Sequence, residues 1–181
     1  MDRMDRDALL AALTDVGRKL RERGVHGDLY LVGGAAMALA YDARRMTRDV
    51  DAVFEPKLLV YEAAAEVADE RGLPPDWLND GVKGFLPGPD PYDGPAFDLP
   101  GLRVQAASPQ MLLALKVLAA RVGEDDDDIA QLTGLVGLSS AGGVLDLVER
   151  IVGAERLTAR SRFFVEAVLD EHGGDSDEGP G

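Results

Sequence analysis

The chain has 181 residues, 46% of them hydrophobic, with 33 acidic and 19 basic side chains and a net charge of −14. That length holds one domain, or one domain with a closely packed subdomain. The lack of cysteine excludes a disulfide framework or a thiolate-bound zinc, and two histidines, His26 and His172, argue against a histidine-rich metal centre or a Ser-His-Asp triad.

Residues 5–23 carry Leu9, Leu10, Leu13, Val16 and Leu20 on one helical stripe, which Gly24 terminates. Residues 28–32 read as a strand running into Gly33-Gly34. A short alanine-rich helix follows over 35–42, then a second strand over 48–54. Pro56 opens a helix over 57–71 that stops at Gly72. Between Leu73 and Gly101 seven prolines impose an irregular loop, with short strands expected around Phe85 and Phe97. Loops of this length are commonly functional. Residues 102–107 form a further strand. Ser108-Pro109 supplies an N-cap and a proline at the first helical position. That helix turns Met111, Leu112, Leu115, Leu118 and Ala119 inward and ends near Gly123. A second begins in the acidic run Asp125 to Asp128, where negative charge suits a helix start, and others cover about 141–152 and 159–171. Residues 173–181 are acidic and glycine-rich and are expected to be a disordered tail. The fold class is α/β (α+β): a small mixed sheet over 1–107, with a helical subdomain over 108–172 packed on it.

The strongest chemical signal lies at 31–54. In a strand, residues i and i+2 share a face, so Asp49 and Asp51 aim two carboxylates at one point beside the Gly33-Gly34 turn. Two acids on one strand face are unfavourable without a cation. Carboxylates suit a hard ion such as Mg²⁺, and a glycine turn opening a helix suits phosphate. Arg44, Arg45 and Arg48 add a basic rim in an otherwise acidic chain, so nucleic acid would have to use a local basic face. Trp77, the sole tryptophan, could stack a base but sits in an apolar run that favours the core. No apolar run is long enough to span a membrane, and the charged first residues lack a signal-peptide core, so a cytoplasmic protein without a membrane partner is expected.

Gly33-Gly34, fourteen residues, then Asp49-Val50-Asp51 resembles the signature of the nucleotidyltransferase fold of the DNA polymerase β superfamily. Arg45-x-Thr47-x-Asp49-Val50-Asp51 is similar, more narrowly, to the AbiE-type toxins of type IV toxin–antitoxin pairs. The segment from Leu73 to Asp80 also resembles a related bacterial family, as does Ser108-Pro109 followed by Lys116, Arg121 and Asp125-x-x-Asp128-Ile129. The resemblance spans roughly residues 25–170. It implies Mg²⁺-dependent transfer of a nucleoside monophosphate from an NTP, with two ions held by strand acids including Asp49 and Asp51. It implies that Gly33, Gly34, Arg45, Thr47 and Arg48 contact substrate, that Lys116 meets the triphosphate as a point charge, and that Asp128, or else Asp125, is a further catalytic acid. The implied acceptor is RNA, such as the tRNA 3′ end, and the implied partner a cognate antitoxin; a small-molecule hydroxyl is the other acceptor consistent with net acidity. The superfamily's third acid is missing, because the strand at 102–107 holds Gln105 instead, with Asp98 as the nearest substitute. That gap keeps open a catalytically silent protein that binds nucleotide or a partner through the same scaffold.

Overall fold

The computed structural model describes residues 3–173. Of the tail expected to be disordered over 173–181, Gly173 instead closes the last helix, and the rest lies outside the described residues. The chain divides into two compact units: one runs to Leu86 and includes Asp93–Ala107, and the other comprises Pro87–Tyr92 and the chain from Ser108 onward.

The first unit is a five-stranded mixed sheet with helices on one face. Asp5 caps helix α1 (Arg6–Glu22) by accepting a 2.8 Å hydrogen bond from the Ala8 amide, and Leu9, Leu13, Val16 and Leu20 form its buried stripe. Gly17 is required by contact: a Cβ there would lie 2.5 Å from the Pro100 carbonyl oxygen and 3.0 Å from Leu102 Cβ. Strand β1 (Gly27–Leu31) leads into a single turn of helix α2 (Gly33–Ala36), which widens into a π-turn over Met37–Tyr41. Strand β2 (Val50–Glu55) precedes α3 (Lys57–Arg71), which ends at Gly72 in the left-handed conformation, φ 67°. A two-residue strand β3 (Leu78–Asn79) and a 3₁₀ turn (Gly81–Gly84) follow, then the hairpin of β4 (Ala96–Leu99) and β5 (Leu102–Ala106).

The strand order is β3-β2-β1-β5-β4; β1–β2 and β4–β5 are antiparallel, while β1–β5 and β2–β3 are parallel. Alternation sends Leu29, Leu31, Ala52, Phe54, Leu102 and Val104 into the core beneath α1 and α3. The opposite face carries Asp28, Tyr30, Asp51, Val53, Glu55, Arg103 and Gln105, all exposed or half-buried. Trp77 is a core residue, 1% exposed, whose indole N–H donates to the Ala64 carbonyl at 3.0 Å. Strand character is found around Phe97 but not Phe85, which follows the 3₁₀ turn and is exposed.

The second unit is helical: α4 (Pro109–Ala119), α5 (Asp126–Leu135), α6 (Ala141–Val152) and α7 (Ala159–Gly173). Ser108 caps α4 by accepting from the Met111 amide at 3.0 Å. The Asp90 carboxylate in turn accepts from both the Ser108 amide and its hydroxyl at 2.8 Å. This clamp explains why 87–92 joins the helical unit although it precedes β4. Helix α4 ends at Ala120, in the left-handed region at φ 44°, three residues before the expected stop at Gly123.

Candidate functional site

The site is built on the crossover from β1 to β2. Gly33 has a positive φ of 60°, which a side chain rarely adopts. A Cβ placed on it would lie 3.5 Å from Asp51 Oδ2, and one on Gly34 would lie 3.0 Å from Thr47 Oγ1. The glycine turn thus runs directly against the Asp51 carboxylate. The backbone holds this arrangement: the Val32 amide donates to the Asp51 carbonyl at 3.0 Å. Asp51 pairs across β2–β3 with Asn79, in the Leu73–Asp80 segment, whose two-residue strand carries no periodic signal.

Asp49 corrects the sequence expectation. Strand β2 begins at Val50, not at residue 48, so alternation orients Asp51 but not Asp49. Asp49 lies in an exposed bend that Thr47 holds in place. Thr47 is 6% exposed, its hydroxyl donates to the Asp49 carbonyl at 2.8 Å, and its backbone forms an isolated antiparallel bridge with Met4. Thr47 is therefore a positioning residue for the bend. Arg48 and Arg44 project into solvent and Arg45 is half-buried, which puts a basic rim on the segment leading to Asp49.

A polar network anchors β3 behind Asn79. The Tyr61 hydroxyl donates to Asp80 at 2.6 Å, Lys57 pairs with the other Asp80 oxygen, and the Tyr61 ring meets Phe54 edge-on at 4.9 Å. The hydrogen bonds from Lys57 and then Tyr61 hold the Asp80 carboxyl below the usual range, while the bond to Asp80 raises both Lys57 and Tyr61.

Asp98 does not replace the third strand acid. It pairs with Arg103, which aligns with Asp28 and Glu55, whereas Asp51 is level with Val32. Four residue rises and three strand spacings separate the two acids by about 19 Å. Among the described residues no group of three or more histidine or acidic side chains is placed to hold a metal ion. The donor set fits one hard cation better than two: Mg²⁺ is commonly held by one or two carboxylates, with water and substrate phosphate completing its shell. Asp51, against the Gly33 turn, and Asp49 are the residues that would hold it.

Lys116 and Asp128 are brought together, but not as a substrate-facing cation and a free acid. Lys116 is 7% exposed, and its ammonium lies 2.5 Å from Asp125 Oδ1 and 2.7 Å from Asp128 Oδ2, themselves 1% and 2% exposed. Arg121 adds bonds of 3.1 and 3.2 Å to Asp125. Within the helical unit this cluster clamps α4 to α5. The helical spacing of α4 could not reveal it, because the partners come from the next helix.

Residues 9–77 match the model of a family described as a nucleotidyl transferase of unknown function (DUF2204). The matched segment contains the glycine turn, the aspartates and Trp77. No curated protein and no solved structure matches the chain.

Proposed function

From the match of residues 9–77 to a nucleotidyltransferase family, we propose that the α/β unit binds a nucleoside triphosphate at the glycine turn and transfers its nucleoside monophosphate to a hydroxyl acceptor. The observation that carries this reading is the approach of Gly33 to Asp51: a turn without side chains runs against a strand carboxylate. Asp49 and Asp51 would hold a Mg²⁺ ion, which supplies charge neutralisation for the triphosphate and its leaving group. Arg48 and Arg45 bring positive charge to the same segment, and Thr47 fixes the bend that presents Asp49. The buried clamp of Lys116 supports a structural role for it rather than contact with the triphosphate.

The toxin-type reading, with the tRNA 3′ end as acceptor and an antitoxin partner, rests on the 45–51 motif and its arginines. A silent, nucleotide- or partner-binding scaffold is the second reading, favoured by the lack, among the described residues, of a third acid grouped with Asp51. Incubation with Mg²⁺, α-labelled NTPs, total RNA and small alcohols separates them. Transfer by the wild type that falls on the order of 100-fold or more in Asp49→Ala and Asp51→Ala supports the enzyme. Nucleotide binding without transfer to any acceptor supports the scaffold.

A further inference from the structure

Strand β3 has only two residues, yet it is held from both ends. Ahead of it, the Trp77 carbonyl accepts from the Val50 amide at 2.6 Å, and the Trp77 indole is tied to Ala64. Behind it, Tyr61 and Lys57 bind the Asp80 carboxylate, and the Asp80 amide donates back to the Tyr61 hydroxyl at 3.2 Å. The residue this anchoring fixes is Asn79. Parallel register sets Leu78 level with Val50 and Asn79 level with Asp51. Val50 and Leu78 are buried in the core, so alternation places Asp51 and Asn79 side by side on the other sheet face, on strands about 4.8 Å apart. The Gly33 turn borders Asp51 from the β1 side, and Asn79 borders it from the β3 side.

Gly81 defines which way the Asn79 carboxamide points. Its backbone N–H donates to Asn79 Oδ1 at 3.1 Å, and of the two ends of a carboxamide only the oxygen accepts. The Nδ2 end keeps both of its donors, and they have no partner among the described residues. Asn79 is half-buried, so these donors stand at a fixed place beside the carboxylate. Lys116, the cation expected at the triphosphate, is instead committed to Asp125 and Asp128.

We propose that Asn79 is a nucleotide-binding residue, whose Nδ2 donates to a non-bridging triphosphate oxygen on the side of Asp51 away from the Gly33 turn. The inference rests on the nucleotidyl-transfer reading and adds a residue to it. A hydrogen bond to an ionised oxygen is about twice as strong as one between neutral groups. Asn79 supplies it without charge, so it neither pairs with Asp51 nor competes with it for a cation. An aspartate at the same place would turn an acceptor toward the phosphate where the donor now stands.

The test is isothermal titration in Mg²⁺ with ATP, CTP, GTP and UTP, and with inorganic triphosphate, which isolates the phosphates from the base. Asn79→Asp is isosteric, keeps an acceptor for the Gly81 amide and replaces only the donor. Asn79→Ala, carried in parallel, removes the donor without adding charge. Tyr61→Phe removes a bond to Asp80 and leaves Asn79 unchanged, so it loosens β3 alone; thermal unfolding follows all four proteins. The wild type should bind at least one NTP and inorganic triphosphate. Asn79→Asp should weaken both by about tenfold or more, the size of a lost hydrogen bond to a charged group, and Asn79→Ala by several-fold. Tyr61→Phe should lower Tm and leave both affinities within about twofold. Unchanged affinity in the Asn79 variants, or a loss that Tyr61→Phe reproduces, overturns the contact; transfer by the wild type from labelled NTP then leaves nucleotidyl transfer standing. Tighter binding by Asn79→Asp as Mg²⁺ rises also overturns it, because the oxygen of Asn79 and not its N–H would then face the cation. A wild type that binds no nucleotide overturns the contact and the nucleotidyl-transfer reading together.

Discussion

Replacing Lys116 with methionine tests the helical unit most directly. Methionine keeps the stem volume and removes the ammonium that lies 2.5 and 2.7 Å from two carboxylates exposed by only 1% and 2%. Breaking a buried ion pair from one side costs about 3–5 kcal/mol, because charge is left without its partner. Arg121 still reaches both oxygens of Asp125, which places the expected loss near the lower end, at about 3 kcal/mol. For a protein of this size that corresponds to a fall in Tm of roughly 6–12 °C. Circular dichroism during thermal unfolding at neutral pH measures it. Adding Asp125→Asn and Asp128→Asn should restore at least half of the loss, since no carboxylate charge then remains buried. A Tm within 2 °C of the wild type, coupled with lost nucleotidyl transfer, would refute the clamp and restore Lys116 to the triphosphate.

Other perturbations probe the α/β unit. Gly34→Ala brings a Cβ to 3.0 Å from Thr47 Oγ1, so the hydroxyl must shift from its bond to the Asp49 carbonyl; transfer activity should fall several-fold with a Tm loss under about 5 °C, and equal activity in the variant would show that the bend tolerates the movement. Gly17→Ala forces a Cβ to 2.5 Å from the Pro100 carbonyl oxygen and should destabilise by about 1–3 kcal/mol in urea titration. Asp80→Asn should lower Tm at neutral pH and make little difference in strong acid. The Asp80 carboxyl is depressed by Lys57 and Tyr61, so its contribution is present above its unfolded value and is lost as pH falls through its lower folded value. A Tm difference independent of pH would contradict that linkage.

Much of the fold is legible because its signals are local. The stripe of Leu9, Leu13, Val16 and Leu20, the Ser108-Pro109 cap and the Gly72 stop each follow from a few neighbouring residues. The π-turn at Met37–Tyr41 is not legible, because no glycine or proline interrupts that run and its alanines pack equally well in an α-helix. At the site, the Gly33-to-Asp51 juxtaposition was inferable from the strand–turn–helix–strand order. The start of β2 at Val50 was not, since Asp49 is separated from the ladder by the bonds of Thr47, a side chain with no periodic signature. The clamp on Lys116 and the mismatch between Asp98 and Asp51 depend on helix packing and strand register, which only long-range pairing defines.

The bridge between Met4 and Thr47 has a practical consequence. Two backbone hydrogen bonds, of 2.7 and 2.9 Å, join the stretch preceding α1 to the residue that steadies the Asp49 bend. The chain's leading end is thereby part of the scaffold of a site some 45 residues downstream. An affinity tag or a trimmed start that strains this bridge would blunt the protein without altering any residue that touches a ligand. Activity assays should therefore leave the Met4 bridge to Thr47 intact.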